Sequence, residues 1–282
     1  MMNAIEVKNV SKQLKKFRLN NISFTVECGT IAGFIGQNGA GKSTTMKLLI
    51  NFLKPQQGEI FILGKRSDLD DIELKSQIGV VFDELHIPKH LTGKDINHLY
   101  SMMYPNWNTD YFYELLNRFD VPRYDAISKM SKGMKTKLGI ITALAYSPKV
   151  LLLDEPTSGL DPIVRDEILE LLQTFMEDED HAILISSHIT SDLEKIADTI
   201  VFIHEGEILF HENKDDLLYG FGIWKGTAEE AKVIPNHAIF GKRDYIFGLE
   251  YLVKREYVNP VIELQKPTID EIMLFFVRGR KR

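Results

Sequence analysis

Apolar and polar residues alternate with a period of two near the start of the chain. The segments AIEVKNV (4–10) and NISFTVE (21–27) have the pattern of half-buried strands. TIAGFIG (30–36) is a short apolar run ending in glycine, as a fully buried strand would be. It leads into a glycine-rich turn and the amphipathic KSTTMKLLINFL (42–53), a predicted helix that stops before Pro55. GEIFILG and IGVVFD read as further strands. From about His86 the period lengthens to that of helices. TGKDINHLYSMMY has Thr92 as its cap, NTDYFYELLNRF has Asn108, and MKTKLGIITALAYS ends at Pro148.

Strands then resume with KVLLLDE, followed by helix PIVRDEILELLQTFM, strand HAILISS, helix ITSDLEKIAD and the hairpin TIVFIHEGEILFHE. The alternation of strands and helices predicts an α/β core with a mainly parallel sheet, interrupted over 86–148 by a mainly helical insertion. After Asp216 the rhythm breaks. Capping-box pairs at Thr227 and Glu230, and at Thr268 and Glu271, mark a small α+β appendage closed by a helix. The expected organisation is therefore a main domain over 1–216 and an appendage over 217–282. The basic VRGRKR end is expected to be a solvated tail.

Composition changes this picture little. The 282 residues are 44% hydrophobic and 26% charged, as in a soluble globular protein with a substantial core. The net charge of −6 argues against a broad nucleic-acid footprint. A single cysteine, Cys28 in VECGT, excludes a disulfide framework and is expected to be a small residue near a turn, in a reducing compartment. The opening MMNAIEVKNVSKQLKK has no apolar core of a secretory signal, and runs such as IMLFFV (272–277) are too short to cross a bilayer. Work at a membrane would need another chain to supply the membrane part.

The chemistry is concentrated at three strand ends. GQNGAGKS (36–43) fits G-x-x-x-x-G-K-[ST] between a strand and a helix. Gly36, Gly39 and Gly41 let the backbone turn tightly, so that N–H groups around Gln37, Asn38, Ala40 and Thr44 converge on an anion. The helix N-terminus adds partial positive charge, Lys42 reaches outer phosphates, and the Ser43 hydroxyl suits Mg²⁺. VLLLDE (150–155) delivers two carboxylates at the end of a buried strand, beside the phosphate loop in an open α/β sheet. Asp154 is expected to hold Mg²⁺ directly or through water, and Glu155 to orient and polarise the attacking water. ILISSH (183–188) ends another strand with His188, a hydrogen-bonding sensor on the γ-phosphate side.

In combination these motifs, with MSKGM (130–134) and LLLDEPTSGLDP (151–162), resemble the ABC-type ATPases over about residues 3–215. The resemblance implies a P-loop NTPase core of ABC ATPase type, with an antiparallel β subdomain as well as the helical one. It implies ATP and Mg²⁺ as ligands. MSKGM is similar to the signature L-S-G-G-Q, so Ser131 and Gly133 take the places of its serine and second glycine. Asp161 matches the D-loop aspartate and His188 the switch histidine.

In the family, two ATPase subunits pack head-to-tail, and each signature closes over the nucleotide on the other's P-loop. That implies two partners: a second ATPase subunit (the same chain or a paralogue) and a transmembrane permease docked at the helical insertion. Three positions depart from the pattern. Lys132 and Met134 replace a glycine and the glutamine of the signature. Asp83 stands where the Q-loop glutamine is usual, and is expected to contact Mg²⁺. No aromatic residue in SKQLKKF matches the adenine stacker outright, which leaves Leu14 or Phe17 to cover the base.

FDELHIPKHLTGKDI, MYPNW and TIDEIMLFFVRG are similar to single-domain ATPases of Gram-positive bacterial exporters, often found beside GntR-type regulators. The implied protein is an ATP hydrolase, cytoplasmic and peripheral on the inner face of the membrane, that powers export of peptides or hydrophobic compounds. Two other readings use the same motifs. One is a nucleotide-binding regulatory subunit with weak hydrolysis, suggested by Asp83 and the altered signature. The other is a soluble ABC-type ATPase acting on nucleic acid or the ribosome. The chain has neither a long coiled-coil or zinc insertion between Ser43 and Ser131 nor a second cassette, and no nucleic-acid partner is expected.

Overall fold

A computed structural model describes residues 2–68, 71–245 and 248–279; residues 280–282, the end of the basic segment, lie outside the described residues. The two alternating segments form β1 (Asn3–Gln13) and β2 (Arg18–Glu27), paired antiparallel with Ile5 opposite Val26 and Val7 opposite Phe24. β3 (Ile31–Ile35) is buried at every residue and leads through the glycine-rich turn into α1 (Lys42–Leu49). That helix is shorter than the expected 42–53. Asn51 adopts φ 57° and its N–H bonds to Leu48 O, the left-handed termination that asparagine tolerates. β4 (Gln57–Ile62) and β5 (Lys65–Arg66) return to the first sheet, giving an antiparallel layer in the order β2-β1-β4-β5.

α2 (Ile72–Ser76) then precedes β6 (Ile78–Val81). Between β6 and the next strand lie α3 (Gly93–Met103), α4 (Thr109–Arg118) and α5 (Lys132–Leu144). Thr92 and Asp95 form a reciprocal capping box, and the Asn108 side chain accepts from Tyr111 N at 2.9 Å, as those residue types predict. The chain continues through β7 (Val150–Asp154), α6 (Pro162–Phe175), β8 (Ala182–Ser187), α7 (Thr190–Ile196), β9 (Thr199–His204) and β10 (Glu207–Asn213). The second sheet runs β10-β9-β3-β8-β7-β6, all parallel except the edge strand β10. Glu205 and Gly206, both at positive φ, make the tight β9–β10 turn.

Beyond Asn213, whose side chain caps α8 (Lys214–Gly220), come β11 (Phe221–Gly226), β12 (Ile239–Tyr245) and β13 (Gly248–Lys254), in the order β11-β13-β12, and then α9 (Ile269–Gly279). Thr227 and Glu230 do exchange capping-box hydrogen bonds, but only a 3₁₀ turn (Glu230–Val233) follows, because Pro235 prevents continuation. The box at Thr268 and Glu271 does open a helix, α9. The main core continues into this region. Phe221, Ile223, Leu252, Ile269, Ile272 and Phe275 belong to one buried cluster with Leu151, Ile185 and Leu138. Ile269 N also donates to Glu194 Oε1 of α7 at 2.9 Å.

Candidate functional site

The site lies at the carboxyl ends of β3, β7 and β8, which the parallel register brings level: Ile35 stands against Ser187, and Asp154 against Ser186. Residues 36–44 wrap the end of β3. A Cβ at Gly36 would lie 2.4 Å from Ile203 O, so only glycine lets the loop lie this close to β9. Gly39 and Gly41 take φ 82° and 122°, which other residues rarely adopt. Gln37, Asn38, Gly39 and Ser43 are exposed, Thr44 is half-buried, and Ala40, Gly41 and Lys42 are buried. The Phe17 ring edge stands 2.9 Å from where a Gly41 Cβ would be, so of the two candidates for covering a base it is Phe17 that lies against the loop.

Lys42 opens α1, with its side chain 6% exposed. Its ammonium donates to Gly36 O at 2.6 Å and lies 3.1 Å from Glu155 Oε1, an ion pair rather than an aligned hydrogen bond. Asp154 is buried, and its Oδ1 accepts from Ser186 Oγ at 2.6 Å. Ser186 Oγ accepts in turn from Glu155 N at 3.1 Å. One hydroxyl therefore fixes both acidic residues, a role the sequence reading missed; its only signal was a serine two residues before the strand-end histidine. Glu155 sits at φ 54°, a conformation that is costly outside glycine and clusters at functional sites. The turn directs Oε2 to His188, whose N–H and Nδ1 lie at 3.3 and 2.5 Å. Lys42, Asp154, Glu155 and His188 thus form one connected cluster.

The donor types fit Mg²⁺ with phosphates. A serine hydroxyl at a helix N-terminus and a buried aspartate supply hard oxygens, and Mg²⁺ takes few protein ligands when phosphates and waters complete its shell. Thr157 Oγ1, close to Glu155 in the chain, is buried with no hydrogen-bond partner, leaving polar capacity for a ligand shell.

The remaining expected residues stand apart. Among the described residues, no hydrogen bond or ion pair joins Ser131, Gly133 or Asp161 to the 36–44 loop. Ser131 Oγ caps its own helix α5, accepting from Met134 N at 3.2 Å. Asp161 caps α6, accepting from Ile163 N and Val164 N, both at 3.1 Å. The two helix starts pack together: a Cβ at Gly133 would come 2.7 Å from Val164 Cγ1. Asp83 follows β6 and lies 3.3 Å from Lys132 Nζ. No helix among the described residues is long and apolar enough to span a membrane.

This geometry accompanies clear similarities. A family model described as "ABC transporter" matches residues 19–158. The chain is 31% identical over 274 residues to the uncharacterized ABC transporter ATP-binding protein YhcH of Bacillus subtilis (strain 168), covering 94% of this chain and 88% of that one. It is 34% identical over 242 residues to the lantibiotic transport ATP-binding protein SrtF of Streptococcus pyogenes, covering 85% and 99%. A solved structure of an ATP binding subunit of an ABC transporter superposes with TM-score 0.67 at 29% identity, covering 76% of this chain and 91% of that chain.

Proposed function

We propose, from the premise that the chain belongs to the ABC transporter ATP-binding family and is an ATPase of it, that it powers a separate permease which exports peptides or hydrophobic compounds. A peptide cargo is supported by the likeness to SrtF, a lantibiotic transport ATP-binding protein, and the export direction by the resemblance of FDELHIPKHLTGKDI, MYPNW and TIDEIMLFFVRG to exporter ATPases. In this reading the chain is cytoplasmic and held to the membrane's inner face by the permease. The 1–216 cassette carries turnover, and the 217–282 appendage is built onto it and shares its core.

The observation that carries the reading is the cluster of Lys42, Asp154, Glu155 and His188, tied together by Ser186. The loop from Gly36 to Thr44 cradles the ATP phosphates with backbone N–H groups, and Phe17 covers the base. Lys42 exchanges Gly36 O and Glu155 for β- and γ-phosphate oxygens, which frees Glu155. The Glu155 carboxylate then accepts a hydrogen bond from the attacking water and aligns it, while His188 holds Glu155 and senses the γ-phosphate. Ser43 and Asp154 would hold Mg²⁺, which when bound neutralises charge developing on the phosphates.

Ser131, Gly133 and the N-terminus of α5 complete the site of a second ATPase subunit. A helix start without acidic residues suits an anion there, and Asp161 fixes the adjoining α6. The chain is tested with Glu155→Gln, which keeps the binding groups but cannot orient the water. Its molar mass by light scattering should double on adding Mg-ATP. If the mass does not change while ATP is bound, the self-paired composite site is wrong.

A further inference from the structure

Two of the residues that depart from the family pattern meet in space. Lys132, the first residue of α5 after the Ser131 cap, holds its ammonium 3.3 Å from Asp83 Oδ1. The same ammonium donates to Ser158 O at 2.8 Å and passes over Gly159, where a Cβ would stand 3.4 Å away. Asp83 emerges two residues beyond Val81, which is registered with Leu153 of β7. It therefore leaves its strand at the same carboxyl end of the sheet at which β7 ends in Asp154. Ser158 N in turn donates to Glu155 O at 3.2 Å. A single lysine joins the turn after β6, the start of α5 and the loop downstream of Glu155, segments 49 and 26 residues away in sequence.

We propose that Lys132 and Asp83 are a compensating pair of positioning residues, which aligns these three segments for turnover and in which neither charge works alone. The inference rests on the ATPase reading above and concerns how that site is held. A carboxylate at the carboxyl end of the sheet, without its cation, would oppose the phosphates of ATP. A lysine without its carboxylate would lose one of the two anchors that fix its long, flexible side chain across Ser158. Both side chains are about half exposed, 50% and 55%, so the pair adds little to global stability. Its consequence lies in alignment.

The test is a double-substitution cycle on steady-state ATP hydrolysis by the full chain, with thermal midpoints measured in parallel. Asp83→Asn and Lys132→Met should each lower kcat by about three- to tenfold, with KM for ATP changing less. The exchanged pair Asp83→Lys with Lys132→Asp, and the uncharged pair Asp83→Gln with Lys132→Gly, should each turn over faster than the slower of its own single variants. Thermal midpoints should stay within about 2 °C of the parent, as expected for exposed pairs. Additive losses in the double variants would overturn the pairing. Loss of activity that follows loss of stability would reduce it to a structural contact. A large rise in the Mg²⁺ requirement of Asp83→Asn, without one in Lys132→Met, would make Asp83 a metal contact instead. Absence of hydrolysis by the parent chain would fail the ATPase reading itself, an outcome separate from all of these.

Discussion

At the scale of single residues the candidate site is held by charges that satisfy one another. Lys42 is buried, and its ammonium is held by Gly36 O and Glu155. We expect Lys42→Ala to weaken ATP binding about ten- to hundredfold, the worth of a lost charge-assisted contact, as measured with a fluorescent ATP analogue. Far from the site, Glu250 is buried between Arg243 and Lys225. Burial alone would raise its carboxyl, but the hydrogen bonds and charges of Arg243 and Lys225 outweigh burial and hold it below the usual range. A carboxyl depressed on folding stabilises fully above its unfolded value near 4.3 and loses that contribution as pH falls through its folded value. Glu250→Gln should therefore cost about 1–3 kcal/mol at pH 7, a difference that shrinks below pH 4 in urea titrations.

At the scale of elements, the glycine at 133 decides how closely α5 approaches α6. A methyl group there would meet Val164 at 2.7 Å. Gly133→Ala should cost about 1–3 kcal/mol through overpacking and move the Ser131 cap with the helix, so a lower melting temperature and reduced hydrolysis are expected together. Most element identities were legible because hydrophobic period is a local property. The runs at 150–154 and 182–187 could hardly be anything but buried strands. Two expectations failed at their ends for reasons that period does not encode. Asn51 turned left-handed and shortened α1, and Pro235 cut the Thr227 segment to a 3₁₀ turn.

At the scale of the whole molecule, the region after residue 216 shares the main core, although its sequence rhythm sets it apart. Phe221, Leu252, Ile272 and Phe275 are buried with residues of β7 and β8, and α8 carries buried Leu217 and Leu218 across that point. A chain ended at residue 216 would expose this apolar surface. We expect it to show a lower soluble yield and a lower thermal midpoint than the full chain, rather than to behave as an independent cassette.

The sequence by itself determined which residue types meet in the candidate site. The glycine-rich loop, the paired acids and the strand-end histidine are written in short contiguous runs, whose backbone geometry follows from residue type. It also determined that a mainly parallel sheet would bring those runs to one edge, since buried strands alternating with helices have few other ways to pack. Tertiary structure alone decided which distant residues touch. Ser186 bridging two acids on the next strand, Phe17 rather than Leu14 against Gly41, and Lys132 reaching Asp83 all depend on strand order and crossover packing. Those contacts join residues far apart in sequence, and no local period or spacing specifies a pairing that the chain makes only after it has folded.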